Sequence, residues 1–446
     1  MSAPETPAAP LAFATRQLHA GARGFDAHGA RTTPIYLTAG FEFDDIGDGE
    51  SRFADPDTGF SYTRVGNPTA AAAERRVADL EGGIGALLVG SGQAATSTAL
   101  LTILESGDHV VAASAIYEGT RELLRSDLGR LGITADFVDD PRDPAAWEAA
   151  IGPHTRALVA ESIANPRGGV LDIPAVAEIA HRHGIPLVID STLATPYLLR
   201  PLELGADIVV HSASKFLSGH GSALGGVIVD AGRFAWDAEP GRFRQIAGET
   251  GPDGRTFVER SGARAFLDAA RRVAMRFGPS PSPLNAFLLL QGIETLSLRV
   301  ERQSQTAALL ASWLEGRPEV SGVDYSGLAS HPDNDLAVRL LPQGQGALFS
   351  FTLTGGRAAA EAFTRAVRLF TPMTHLGDVR SLVLHPATTT HAHRADDDLR
   401  RIGVGPGLLR LSVGLEDAGD LIADLERGLA AVREVAGLAA REAVPA

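Results

Sequence analysis

The chain of 446 residues contains no cysteine. Disulfides, a thiol nucleophile and cysteine-based metal sites are excluded together. No run of five or more basic residues occurs, and the net charge is −14. That balance argues against nucleic acid and anionic membrane as partners. No uninterrupted apolar stretch reaches about 18 residues, so no transmembrane helix is expected. The opening Met1 to Pro10 lacks the basic and apolar regions of a signal peptide. It reads as the start of a disordered tail over 1–14, and the protein as cytoplasmic. The pattern G-x-x-x-x-G-K-[ST] is missing, so a P-loop nucleotide hydrolase is not supported. His385, His391 and His393 lie near one another but lack acids at ligand spacing, so no metal site is expected. His181 and His183, on a polar helix end, read as solvated. No internal repeat is found.

The rest is ordinary for a globular protein, with 44% hydrophobic and 21% charged residues. The length leaves room for two or three domains. Residues 15–68 have weak periodicity and read as an extended arm, with Tyr62 and Arg64 on one face. A helix is expected near 69–80. Short apolar runs at 86–89, 109–112, 134–138, 157–160, 186–189, 208–210 and 227–229 then alternate with helical stretches. This predicts an α/β fold with a mostly parallel sheet, whose function lies at the carboxyl ends of its strands. The region 69–283 would form one large domain. Within it, 231–283 is rich in Gly and Pro and reads as an insertion or lid. Helical patterns over 284–298 and 299–314 lead into a C-terminal α+β domain, 284–446. Strands at 348–352 and 408–413 and a helix at 418–435 belong to it.

Chemistry concentrates in the stretch 207–226. A buried strand runs into His211-Ser212-Ala213-Ser214-Lys215, followed by glycines at 219, 221, 225 and 226. A lysine at a strand mouth, with hydroxyls before it and small residues after it, suggests a covalent lysine site. Its amine, with a free pKa of about 10.4, must be desolvated or placed near a cation to become a nucleophile. Alternatively it is a surface lysine in a Gly/Ser loop. Gly90-Ser91-Gly92-Gln93-Ala94-Ala95 fits G-x-G-x-x-A between a strand and a helix. An oxidoreductase would also place an acid at the end of the next strand, and that strand ends at Ala113-Ser114. The helix N-terminus still suits a phosphate, through Gly92 and Gln93 with Ser91 near. Asp190 ends a strand, as a helix cap or as a carboxylate facing a cationic ligand atom. Tyr117 suits stacking on a flat ring or plain packing. Arg410 alternates with leucines and calls for an anionic partner, structural or substrate.

Together these residues resemble the Cys/Met-metabolism enzymes that depend on pyridoxal 5′-phosphate. The stretch Val209 to Gly221 is similar to their lysine signature. The order Tyr62-Thr63-Arg64, Ser91-Gly92-Gln93, Tyr117, Asn165-Pro166, Asp190, Lys215 and Arg410 fits as well. The resemblance covers about residues 12 to 435 and implies fold type I, aspartate-aminotransferase-like, with an N-terminal arm, a large cofactor domain and a smaller C-terminal domain. Within the family, the stretches 161–168, 218–221, 282–295 and 381–391, and the extra segment after Val229, resemble O-acetylhomoserine sulfhydrylases. Ser191 departs from the pattern, where Asn usually follows the aspartate.

The resemblance implies roles. Lys215 would carry pyridoxal 5′-phosphate as a Schiff base and then shuttle protons, and Asp190 would keep the pyridine nitrogen protonated. Tyr117 would stack on the ring. Asn165 would contact the ring hydroxyl or the substrate carboxylate. Ser212, Ser214 and the amides of Gly92 and Gln93 would hold the phosphate, with Ser91 beside them. Arg410 would clamp the substrate carboxylate, with Ser381 near. Tyr62 and Arg64 would reach the phosphate of a neighbouring subunit, in a tetramer of catalytic dimers. The implied reaction is γ-replacement on O-acetyl-L-homoserine with sulfide or a thiol, in methionine biosynthesis. A cystathionine γ-synthase or γ-lyase is the alternative within the family. A nucleotide-binding oxidoreductase and a non-catalytic protein on the same scaffold are the alternatives outside it.

Overall fold

The computed structural model describes residues 11–22, 28–54 and 58–435. Residues 1–10 of the expected tail lie outside the described residues, and the helix Phe13–His19 begins within its last two positions. The arm that follows is not extended throughout: Ile46–Ala54 forms a helix before the helix Pro68–Glu81. That helix starts where Asn67 accepts from Thr69 N at 2.9 Å and Pro68 opens the first turn. It stops at Gly82, whose φ of 77° suits a residue without Cβ.

Seven strands follow: β1 (Gly85–Val89), β2 (His109–Ala113), β3 (Thr134–Val138), β4 (Thr155–Glu161), β5 (Leu187–Asp190), β6 (Ile208–His211) and β7 (Gly226–Asp230). Their order across the sheet is β1-β7-β6-β5-β4-β2-β3, and only β7 runs against its neighbours. Successive residues feed opposite layers. Leu187 and Ile189 join one core and Val188 the other, and Val209 and Val210 divide likewise. A strand buried on both faces needs apolar residues at every position, which is why these runs read as unbroken. The carboxyl ends of β1, β2, β4, β5 and β6 therefore open on one edge.

A second sheet of five strands has the order β10-β11-β12-β9-β8. Its members are β8 (Val320–Asp324), β9 (Leu348–Leu353), β10 (Thr371–Pro372), β11 (Leu382–Leu384) and β12 (Leu408–Ser412). Helices Gly356–Ala366 and Ala418–Val435 pack on it around Phe351, Phe363 and Leu425. The helices Pro283–Ile293 and Leu296–Glu315 precede it in the chain.

The structure differs from expectation in three places. The helix expected after Tyr117 is broken into the short helix Glu118–Glu122, a π turn Leu123–Asp127 and a 3₁₀ turn Gly129–Leu131. The segment 231–283 is anchored rather than loose. Phe234, Trp236, Phe243 and Phe266 form an aromatic cluster, with Trp236 stacked on Phe266 at 5.4 Å, and the helix Ala265–Phe277 buries Phe266, Ala269 and Ala270. His181 and His183 are not free in solvent. His181 Nε2 lies 2.9 Å from Asp207, a bond that raises the pKa of its ring, and His183 Nε2 lies 2.6 Å from Glu148.

Candidate active site

Lys215 sits in the turn after β6. The turn is pinned from several sides. Ser212 N donates to Thr192 Oγ1 at 2.8 Å, and Arg299 donates to the carbonyls of Phe216 (2.9 Å) and Leu217 (3.3 Å). Burial and then the nearby Arg410 charge lower the Lys215 amine to about 8. Roughly one amine in ten is then neutral at pH 7, against one in thousands for a free lysine. Nζ lies 3.0 Å from Nδ1 of His375.

Asp190 ends β5, and Thr192 donates to its Oδ1 from both backbone and hydroxyl. Glu161 ends the adjacent β4 directly opposite it. Two neighbouring carboxylates are not both cheaply ionised. Burial and then the Asp190 charge push Glu161 up to about 8. Burial raises Asp190 too, but the Thr192 bonds favour its charged form. Burial thus raises both carboxyls, and the pair titrates as one unit rather than as two independent acids. Glu161 accepts from Tyr117 N (2.7 Å) and Asn165 N (3.0 Å), so it sets both backbones.

Ser91 caps the helix Gly92–Ile103, accepting from Ala94 N at 3.1 Å. The amides of Gly92 and Gln93 come before that helix's first backbone bond, from Ala95 N to Ser91 O. A Cβ on Gly92 would lie 2.5 Å from Ser212 Cβ, so only glycine lets the helix end meet the lysine turn. Gln93 Nε2 donates to Gly119 O at 3.0 Å, tying this end to the Tyr117 turn. Arg410, on β12, is 3% exposed; it donates to Asn165 Oδ1 at 3.1 Å and to the carbonyls of Thr374 and His375. Its Nε is buried and has no hydrogen-bond partner among the described residues.

Two expected roles change. Ser214 Oγ donates to Gly225 O and accepts from Gly225 N, so its one hydroxyl hydrogen is used in bracing the glycine turn rather than a phosphate. Ser381 is fully buried, donates to Glu416 and accepts from Gly414 N at 2.9 Å, so it is not free for a substrate carboxylate. Tyr62 and Arg64 do face one another, at 5.5 Å, on the exposed arm, where Arg64 donates to Met275 O. Of the three loop histidines, His385 bonds Thr388 and Pro406 O, and His391 approaches Glu118.

The sequence reading passed over Glu161, Thr192, Arg299 and His375. It also passed over the plainest signal. Lys215 is the sole lysine among 40 basic residues; the others are arginine. A chain that uses arginine for every other cation keeps this amine for something arginine cannot do, since a guanidinium does not deprotonate.

The residues fit pyridoxal 5′-phosphate. They offer a desolvated amine for its aldehyde, an anion for its ring nitrogen and helix amides closed against Ser212 for its phosphate. Arg410 Nε, without a partner among the described residues, would be left for a substrate anion.

Comparison with known proteins agrees with this geometry. Residues 14–430 match the family described as Cys/Met metabolism PLP-dependent enzyme. The chain is 44% identical to an O-acetyl-L-homoserine sulfhydrylase of Corynebacterium glutamicum, over 94% of this chain and 97% of that one. It is 42% identical to a homocysteine synthase of Schizosaccharomyces pombe, over 94% and 98%. A crystal structure of a putative O-acetylhomoserine (thiol)-lyase from Campylobacter jejuni superposes with a TM-score of 0.90 at 33% identity. That match covers 94% of this chain and 100% of the other, which carries N′-pyridoxyl-lysine-5′-monophosphate. The buried amine, the carboxylate pair and the buried arginine thus stand in a chain that belongs to the pyridoxal-phosphate-dependent enzymes of Cys/Met metabolism.

Proposed function

We propose that the protein carries out γ-replacement on O-acetyl-L-homoserine, using sulfide or a thiol and forming L-homocysteine and acetate in methionine biosynthesis. One observation carries this reading: the Arg410 charge acts on the Lys215 amine, and Arg410 is joined through Asn165 and Glu161 to the Asp190 position on the next strand. Pyridoxal phosphate, when bound, supplies a ring that takes up negative charge from the substrate. Lys215, Asp190, Tyr117, Asn165, Ser212 and the amides of Gly92 and Gln93 would hold it. Arg410 takes the substrate carboxylate and fixes the direction of the Cα–H bond. The Lys215 amine receives the Cα proton and then helps remove one at Cβ. Glu161 keeps Tyr117 and Asn165 in place through their backbone N–H groups.

The same reading extends to assembly. The arm exposes Leu37 (76%), Ile46 (85%) and Phe53 (77%), large apolar side chains that a monomer would leave in water. We place this surface, with Tyr62 and Arg64, against a neighbouring subunit, where the arm completes that subunit's phosphate site. A tetramer of two such dimers follows.

The test is a product assay with purified protein. With O-acetyl-L-homoserine and sulfide, homocysteine and acetate should appear in equal amounts. Cystathionine from O-succinylhomoserine and cysteine, with no turnover of the acetyl ester, would move the chain to the synthase reaction. Conversion of the amino acid to a keto acid without added thiol would move it to a γ-lyase.

A further inference from the structure

The loop 374–380 lies across the lysine turn. Val379 N donates to Gly219 O at 2.8 Å. Gly377, with φ of 73°, comes so near that a Cβ there would lie 2.6 Å from Phe216 N. Arg410 Nη2 holds the loop by the carbonyls of Thr374 (3.3 Å) and His375 (3.1 Å). The result is that one side chain meets the reacting amine: His375 Nδ1 stands 3.0 Å from Lys215 Nζ. The other ring nitrogen, Nε2, is buried and has no partner among the described residues.

Burial, and then the charge of Lys215, press the His375 ring down to about 4, so it is neutral at ordinary pH. A neutral imidazole has one N–H. When Nδ1 accepts from the lysine ammonium, the hydrogen must sit on Nε2. That makes Nε2 a buried donor with nothing to donate to, a costly arrangement unless a ligand supplies the acceptor. An amino-acid ester offers two sets of acceptors. Arg410 claims the α-carboxylate, which leaves the ester at Cγ. Charge grows on the ester oxygen as the Cγ–O bond breaks, and a fixed donor aimed at developing charge lowers the barrier.

We propose that His375 is a further catalytic residue: it accepts a hydrogen bond from the Lys215 ammonium at Nδ1 and donates one from Nε2 to the ester oxygen that leaves Cγ. As Lys215 takes the Cβ proton, the C–H electron pair forms the Cβ=Cγ bond; the Cγ–O bond breaks, its electron pair goes to oxygen, and the carboxylate departs as an anion. The Nε2 hydrogen stays on the ring. One imidazole thereby links the base that takes substrate protons to the group that is expelled. The inference rests on the O-acylhomoserine reading of the substrate.

Asparagine and glutamine separate the two edges of the ring. In His375→Asn, the amide oxygen stands in for Nδ1 and the far donor is lost. In His375→Gln, the amide nitrogen stands in for Nε2 and the near acceptor is lost. Two rates are measured on the holoenzyme: solvent exchange of the Cα proton of L-2-aminobutyrate, which has no leaving group, and γ-replacement on O-acetyl-L-homoserine. The third measurement is the pH dependence of acylation of Lys215, the sole lysine, in the cofactor-free full-length protein.

For His375→Asn, the ratio of replacement to exchange should fall about tenfold or more, with the acylation midpoint unchanged. For His375→Gln, the ratio should stay within about threefold of wild type while the midpoint moves down, because an acceptor for the ammonium is gone. A ratio unchanged in His375→Asn overturns the proposal, as does an equal loss of both rates in both variants. If the wild type exchanges the Cα proton but does not consume the ester, the substrate reading has failed and this proposal falls with it. The two failures are therefore distinct.

Discussion

At the scale of single residues the site is a set of displaced protonation equilibria. Lys215 is lowered to about 8, so its neutral, reactive fraction grows as pH rises through that value. Cofactor capture by the apo-protein should accelerate with pH to a plateau with a midpoint near 8, read from the absorbance of the lysine-bound cofactor. A midpoint near 10 would mean that the amine is not desolvated. The different partners of Asp190 and Glu161 predict unequal substitutions. Asp190→Asn should cut turnover by about a hundredfold or more, since it removes a charge aimed at the reaction. Glu161→Gln removes one of the two oxygens that accept from Tyr117 N and Asn165 N, and should cost about tenfold. Steady-state rates of the two variants at pH 7 check the order, and the reverse order would mean that Glu161 supplies the charge the reaction uses. The residues that act by charge or covalency (Lys215, Asp190, Arg410) were legible because strand mouths and apolar neighbours mark them. Glu161, Thr192 and His375 were not, because their importance lies in contacts across strands and loops. Glu161 meets Asp190 only through the β4–β5 pairing, and His375 reaches Lys215 across 160 residues of chain.

At the scale of elements, parallel strands bring side chains far apart in sequence to one edge, and the loops between them are braced by paired groups. Ser191, the departure from the expected Asn, is fully buried, and its hydroxyl lies 3.1 Å from Ser162 Oγ. A larger amide would crowd that contact, so the two small residues are matched. Arg394, in the loop before the helix Asp396–Arg401, makes a two-pronged pair with Glu118 beside Tyr117. It fastens the loop before the helix Asp396–Arg401 to the turn at Tyr117. Arg394→Ala should raise the KM for the amino acid several-fold, about 1 kcal/mol, with a smaller change in kcat. An unchanged KM would leave the pair a structural fastening only. The seven strands of the large sheet were visible as apolar runs between turns. The strand β8 was missed because Val320–Asp324 is half exposed and lacks an apolar run, and β10 and β11 because they are only 2 and 3 residues long. The π turn at Leu123–Asp127 was missed because the residues of this stretch also suit a continuous α-helix, and only packing selects the wider turn.

At the scale of the whole molecule, the arm is the open question that the single chain poses. Tyr62 and Arg64 lie on an exposed surface beside the helix Ala265–Phe277, and the arm also exposes Leu37, Ile46 and Phe53. Subunit mixing tests the arrangement. A Lys215→Ala homomer and a Tyr62→Ala/Arg64→Ala homomer should each be inactive or weak. Dissociated and reassembled together, they should regain activity, because a hybrid pair contains one site with an intact lysine and an intact arm. A mixture no more active than the sum of its parents would show that each chain completes its own site. Sequence alone suggested this arm from its weak periodicity, but nothing in a linear pattern says which subunit it touches.

The most direct measurement is borohydride reduction followed by peptide mass spectrometry, with and without O-acetyl-L-homoserine. With one lysine in the chain the outcome has little ambiguity. The account predicts a pyridoxyl group on the Lys215 peptide of the resting protein, lost when the ester is added before reduction and restored when sulfide follows, as homocysteine forms. A label at the amino terminus, no label at all, or a Lys215 label indifferent to the ester would contradict it.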